Sequence, residues 1–206
     1  MGLYARYVVP TIISCGCGIA AVGRQRARVT PQAHGVVLEL GVGAGHNLAY
    51  YDPARVTRVY GVEPDPVLLA KARRRAAQAP FAVDLLAERA EALSLPDASV
   101  DTALVTFSLC TIPDVVTALG GVRRALKPGG RLFFCEHGRS PDPAVFRNQT
   151  RIEPIWKRLF GGCRLTRDIP GLIRTAGFEI EDLEEGYAAK MGRLAGYVYS
   201  GAARPA

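Results

Sequence analysis

The chain has 206 residues, 49% apolar and 22% charged, with a formal charge of +7. That length holds one domain with a sizeable core, and the composition excludes an intrinsically disordered chain. All but four of the 26 basic residues are arginine, and they are scattered with no aromatic residues interleaved as base-stacking platforms, so a nucleic-acid surface is not expected. Solvated helix faces explain the charge best, and an anionic substrate or membrane surface stays open.

Residues 8–23 form an apolar stretch after Arg6 that is broken by Pro10 and several glycines. A membrane span needs roughly 20 apolar residues, so this one is short. Small residues near Ala20 and Gly23 give it some signal-peptide character, but basic residues follow at once and a folded domain starts soon after. Residues 1–30 therefore read as a partly helical segment that packs on the domain as a lid or touches a membrane surface, with the domain itself at 31–206. The five cysteines (15, 17, 110, 135 and 163) are odd in number and widely spread, with no CxxC pair and no Cys/His set at zinc spacing. Reduced thiols in a cytoplasmic protein, peripheral to a membrane at most, are the expectation, and no metal is expected.

From residue 36 onward short apolar runs alternate with helical patterns, the mark of a parallel sheet covered on both faces. Strands are expected at 36–40, 57–63, 81–87, 100–107 and 131–136. Helices are expected after the first strand toward Tyr51, at 66–78 and at 114–126, the last closed by Lys127, Pro128, Gly129 and Gly130. Residues 138–165 read as an insertion whose helix carries Ile152, Ile155, Trp156 and Leu159 at helical spacing, a stripe best explained by core packing. A helix at 166–176 and strands at 178–184 and 194–201 complete a single α/β domain.

The strongest chemical signal is ELGVGAG at 39–45, directly after a buried strand. Glycines at alternate positions let the backbone turn sharply and approach a ligand where a Cβ would collide. A dinucleotide loop wants G-x-G-x-x-G, but position 46 is His, and Glu39 sits awkwardly beside a pyrophosphate. Glu39 suits a cofactor bearing an α-ammonium group, held directly or through water. The second signal is Glu63, in GVEPD at 61–65, about 20 residues beyond the glycine turn and at the end of the second strand. A carboxylate there accepts both hydroxyls of a ribose, or alternatively caps the next helix ahead of Pro64.

These two motifs, AEAL at 90–93 with LPDASVD at 95–101, and LKPGG at 126–130 occur in order. Together they resemble class I S-adenosylmethionine-dependent methyltransferases of the branch that contains the ubiquinone/menaquinone-biosynthesis enzymes. LCTI at 109–112, CEH at 135–137 and GCRLTR at 162–167 are similar to the small methyltransferase-like alkyl-thiol methyltransferases of animals and their bacterial relatives. The resemblance implies a Rossmann-like, seven-stranded, mostly parallel sheet with helices on both faces. It implies S-adenosylmethionine as cofactor, with Gly41, Val42, Gly43 and Gly45 facing its methionine part and Glu39 assisting the ammonium. Asn47 would add a carboxylate contact, Glu63 with Pro64 would hold the ribose, and the backbone at Ala90 and Glu91 would read the adenine. Arg89 stands where many relatives have Asp, which removes a side-chain contact to the adenine amino group. Phe107 and Ser108 would border the cofactor on the acceptor side.

Methyl transfer from a sulfonium is an in-line displacement, so positioning supplies much of the acceleration. A thiol needs no dedicated base, since some thiolate is present near neutral pH, whereas a phenol or alcohol needs help. His137, at the carboxyl end of the fifth strand, is the candidate base, or equally a hydrogen-bonded core histidine. Cys110 and Cys135 read as small buried hydrophobes. Tyr4 and Tyr7, with Ile12 and Ile13, and the insertion near Phe146 and Trp156 would roof an apolar acceptor pocket. The expected activity is methylation of a small hydrophobic or amphiphilic acceptor, a thiol first. A quinone or phenol and a lipid head group come next, and a non-catalytic cofactor-binding module is the alternative. An NAD-dependent oxidoreductase lacks its loop, and an adenine-amine methyltransferase lacks an N-P-P-Y-like run, TFSL standing at 106–109 instead.

Overall fold

A computed structural model describes Pro10 and residues 18–206. Seven strands form one sheet: β1 (Gly35–Leu40), β2 (Val56–Val62), β3 (Ala82–Leu86), β4 (Val100–Thr106), β5 (Leu126–His137), β6 (Phe178–Tyr187) and β7 (Tyr197–Pro205). Their spatial order is β3-β2-β1-β4-β5-β7-β6. The first five pair in parallel, whereas β7 runs antiparallel between β5 and β6. Strand order reverses between β1 and β4, which opens a crevice at their carboxyl ends, the place where such sheets hold ligands.

Successive side chains of a strand point to opposite faces, so each central strand feeds two cores. Leu38, Leu40, Ala103, Val105 and Phe134 pack on one face against α3 (Val115–Ala125) and α5 (Ile169–Thr175). Val37, Leu104, Phe133 and Cys135 pack on the other, where α1 (Ala20–Val29) contributes Val29 and α2 (Pro66–Ala76) contributes Ala76. Both faces are thus covered, as a run of apolar residues in a parallel strand requires. Helix starts are set by local chemistry. Asp65 caps α2 by accepting from the Val67 and Leu68 N–H groups, with Pro66 at the first helical position where its missing N–H costs nothing. Asp114 and Asp168 cap α3 and α5 in the same way, and Asp142 caps α4 (Pro143–Leu159).

Three expectations need adjustment. The segment after the glycine turn is a single 3-10 turn, His46–Ala49, rather than a helix reaching Tyr51. The helix expected from 166 begins only at Ile169, because Asp168 caps it. Half of the apolar stripe of α4 is not core: Ile155 is 65% exposed and Leu159 44%. The inward row of α4 runs instead through Val145, Gln149, Ile152 and Trp156, while Ile155 and Leu159 share the solvent row with Asn148 and Arg151. Gln149 earns its buried place by hydrogen bonds, donating to Gly138 O at 3.1 Å and Leu194 O at 2.8 Å while accepting from Ser140 N at 3.0 Å.

No helix among the described residues is long and apolar enough to cross a membrane. The lid or membrane contact expected of the segment 1–30 falls for the most part outside the described residues, as do Tyr4, Tyr7, Ile12 and Ile13. Its described end is α1, which buries Ala21, Val22, Arg26 and Val29 against the domain.

Candidate active site

A cavity of about 490 Å³ opens at the carboxyl ends of β1, β2 and β4. That size lies in the range of roughly 300–1,000 Å³ usual for small-molecule sites. Its floor is the glycine turn after β1. Gly41, Gly43 and Gly45 have φ of +74°, +56° and +79°, values at which any other residue is strained. The Gly41 and Val42 N–H groups both donate to Val62 O at 3.0 Å, which ties the turn to the end of β2. A Cβ on Gly41 would stand 2.7 Å from Ser108 Cβ, whereas one on Gly43 would meet only Gly41 O, at 4.0 Å. Gly41 is therefore required for packing, and Gly43 for leaving space over the turn.

Glu63 is 92% buried at the end of β2 and lines the cavity. It accepts from Gly43 N at 3.1 Å through Oε2 and from Asp65 N at 2.9 Å through Oε1. Burial pushes its carboxyl up to about 7, against the pull of those two backbone donors. Pro64, Ala90, Glu91, Phe107 and Ser108 line the same cavity, with Gly41, Val42 and Gly43. Ser108 Oγ donates to Gly41 O at 3.1 Å, so the turns after β1 and β4 are fixed to one another. Phe107 adopts φ of +53°, an uncommon backbone state for a large residue and one found at functional turns. Arg89 pairs with Glu91 at 3.3 Å rather than offering a carboxylate to a base edge.

Six expected site residues stand outside the cavity lining. Gly45 packs against Ala72 and Leu48 at the turn's far end. Asn47 is fully buried and donates to Glu39 Oε1 and Thr106 Oγ1, each at 2.9 Å. Glu39 has both oxygens engaged, the second accepting from the Tyr51 hydroxyl at 2.8 Å, and burial pushes its carboxyl up to about 7. It supports the site from beneath. His137 lies behind Phe107, with ring centroids 6.5 Å apart, and its Nε2 faces Cys163 Sγ at 3.2 Å rather than the cavity. Phe146 faces a separate shallow pocket with Arg139 and Thr166. Trp156 stacks on Phe160 at 4.1 Å and gives its N–H to Cys163. The cavity is bordered there instead by Phe107, Thr111, Ile112, Arg158 and Gly161.

One residue unmarked in the sequence reading is central. Arg26, 95% buried on α1, lines the cavity and donates through Nη1 to Asn47 Oδ1 at 2.8 Å and Thr106 Oγ1 at 2.5 Å. Its guanidinium also lies 5.6 Å over the Phe107 ring, and its buried Nε has no partner among the described residues. A signal was present: Val22, Arg26 and Val29 fall in one helical row, so this arginine occupies a core-facing position. A buried, always-charged group lining a cavity favours a carboxylate there.

Residues 38–134 match the family described as a methyltransferase domain. The thiol S-methyltransferase TMT1B of Rattus norvegicus is 34% identical over 152 residues, which are 72% of this chain and 62% of that protein. The demethylmenaquinone methyltransferase of Thermus thermophilus is 35% identical over 109 residues, 52% of this chain and 50% of that one. This chain thus spans about 60% or less of the curated relatives it matches here. The structure of a Leishmania major S-adenosylmethionine-dependent methyltransferase superposes with a TM-score of 0.70 over 98% of this chain and 80% of its own, at 16% identity, which shows a shared fold.

Proposed function

We propose, from the premise that residues 38–134 belong to the methyltransferase domain family, that this chain moves the methyl group of S-adenosylmethionine to a small apolar acceptor whose reacting atom is a thiol sulfur. The observation that carries the cofactor assignment is the placement of Glu63 and the Gly41 to Gly43 turn on one cavity with the carboxylate-seeking Arg26. Glu63 fits the ribose hydroxyls, the turn fits close approach of the methionine part, and the Arg26 charge fits its carboxylate. Ala90 and Glu91 fit the adenine edge.

Support for a thiol comes from the rat relative's activity and from the lining itself. The acceptor end is bordered by Phe107, Thr111 and Ile112, with His46, Glu63 and Glu91 on the same cavity, and an acceptor that ionises unaided asks less of such a lining than an alcohol does. His137 is not needed as a base on this reading. Bound sulfonium supplies an electrophilic methyl group, and the chain's part is to exclude water and hold the sulfur on axis. Quinone or phenol and lipid-head-group acceptors are the next candidates, and the same proposal keeps peripheral membrane contact for residues 1–30.

The deciding experiment titrates the purified chain with S-adenosylmethionine and S-adenosylhomocysteine, with NAD as control and Glu63→Ala alongside. Micromolar binding of the first two that is lost in the variant supports the cofactor, while preference for NAD removes it. Mass spectrometry of methyl products from parallel thiol, phenol and amine panels then tests the acceptor. A product from phenols alone would refute the thiol assignment.

A further inference from the structure

Cys110, His137 and Cys163 come from three separate parts of the chain: the turn after β4, the last residue of β5 and the loop after α4. Their ligand atoms nevertheless lie within 4.8 Å of one another. The juxtaposition is built by the backbone. Arg164 N donates to Cys110 O at 2.9 Å, which draws the Cys163 loop onto the Cys110 turn. Glu136 Oε1 accepts from the Ser108 and Leu109 N–H groups at 2.6 and 3.0 Å, fixing that same turn to the strand end carrying His137. Cys110 is 97% buried and His137 93%. Cys163 is half-buried under Trp156, whose Nε1–H donates to its sulfur at 3.4 Å. His137 Nδ1 is buried and has no partner among the described residues.

We infer that these three side chains bind one zinc ion, Cys110 and Cys163 as thiolates and His137 through Nε2, and that the fourth position takes a small exogenous thiolate. Zinc–sulfur and zinc–nitrogen bonds of about 2.3 and 2.0 Å put neighbouring ligand atoms of a tetrahedral site roughly 3.5–3.8 Å apart. The trio therefore needs only small movements to close on an ion. Two thiolates and a neutral imidazole cancel the charge of a divalent ion, so the loaded cluster can be buried at low cost, whereas two bare thiolates could not. Soft sulfur donors favour zinc over magnesium or calcium. The Trp156 N–H, directed at the Cys163 sulfur, is the kind of supporting hydrogen bond that orients a metal-bound thiolate.

Three protein ligands leave one position open, the arrangement of zinc sites that bind a reactant. Here Cys110 is followed directly by Thr111 and Ile112, and Gly161 stands two residues before Cys163; all three line the acceptor end of the cavity. The three ligands lie behind this lining and not on it; a thiol reaching the ion past it would give its proton to solvent and bind as the zinc-held thiolate. The identity of this fourth ligand rests on the thiol-acceptor reading above, whereas the three-ligand zinc site does not.

The test uses the full chain, purified under a phosphine reductant, freed of metal by chelator and titrated with Co(II) and then Zn(II). The expected result is one Co(II) per chain with the charge-transfer and ligand-field absorption of a tetrahedral thiolate site. Zinc should abolish it, and emission of the chain's one tryptophan should change with loading. Cys110→Ser and Cys163→Ser should each weaken binding about a thousandfold, beyond the roughly 10–100-fold that loss of an outer hydrogen bond costs. Added 2-mercaptoethanol should raise the charge-transfer intensity through a third thiolate. No saturable Co(II) binding, or equal binding by the double variant, overturns the site. An absorption spectrum indifferent to the thiol overturns the open position. Calorimetry with S-adenosylhomocysteine on the same samples checks that the variants are folded and separates the two readings. A chain that binds the nucleoside but not Co(II) refutes the zinc site alone, and the reverse refutes the methyltransferase reading.

Discussion

Arg26 on α1 donates to Asn47 Oδ1 at 2.8 Å, and the same amide donates to Glu39 Oε1 in β1 at 2.9 Å. One buried side chain thus joins a cation at the cavity wall to a carboxyl in the core. Truncating it leaves Arg26, Glu39 and Thr106 each short of a partner in a place water does not reach. Asn47→Ala should cost about 2–4 kcal/mol in urea unfolding. A loss below about 0.5 kcal/mol would show the three groups to be independent.

Arg26→Gln keeps a donor at the end of a shorter stem but removes the charge and the spare Nε. We expect S-adenosylhomocysteine to bind at least about tenfold more weakly, the loss usual for a charge-assisted hydrogen bond. A nucleoside fragment lacking the amino-acid tail should bind both proteins alike. Equal losses for the two ligands would mean that Arg26 only holds the fold.

On the proposed reading Glu63 would accept both ribose hydroxyls only when ionised, and burial pushes its carboxyl up to about 7. Affinity for S-adenosylhomocysteine should therefore fall as pH drops, by about tenfold between pH 8 and pH 6. In Glu63→Gln the affinity should be weaker and flat over that interval. A sloped profile in the variant would assign the titration to another group.

Glu39 also rises to about 7 through burial. A carboxyl whose folded value lies above its unfolded value near 4.5 holds its proton better in the native state. Its contribution is full below pH 4.5 and is lost as pH climbs through about 7, by at most about 3 kcal/mol. Glu39→Gln should accordingly lose less stability than the parent between pH 5 and pH 8. Parallel pH curves for the two proteins would contradict the assignment.

The two glycines of the turn should separate packing from binding. Gly41→Ala drives a Cβ to within 2.7 Å of Ser108 Cβ at φ of +74° and should cost about 3 kcal/mol or more. Gly43→Ala meets nothing closer than 4.0 Å and should cost about 1–2 kcal/mol through its φ of +56°. It should still fold yet lose S-adenosylhomocysteine binding. Unchanged binding in Gly43→Ala would move the ligand away from the turn.

The sheet and the cavity floor were legible because their signals are local. Apolar runs mark the strands, and the glycine turn with Glu63 sits on consecutive residues of two of them. What escaped is long-range. Arg26 meets Thr106 across 80 residues of chain, and nothing near residue 26 announces a partner. The Cys110, His137 and Cys163 cluster has no ligand spacing to read, since the turn after β4, the end of β5 and the α4 loop meet only in the fold. His137 was correctly placed at the carboxyl end of β5, but the direction of its side chain depends on Phe107 standing in front of it. Phe146 and Trp156 failed as lining residues for a similar reason. Helical spacing shows that a row exists, and only the neighbours decide which row turns inward.

The order of the last three strands bears on how the chain is made. β6 hydrogen-bonds to β7 alone, and β7 is what connects it to β5. On the ribosome β6 therefore emerges before the strand that will hold it, and until β7 follows, the outer side of β5 and both sides of β6 present unpaired backbone. Such edges invite pairing with other chains. The window closes only when the hairpin of β6 and β7 docks, which makes β7 (Tyr197–Pro205) the segment that ends the nascent chain's exposure to aggregation.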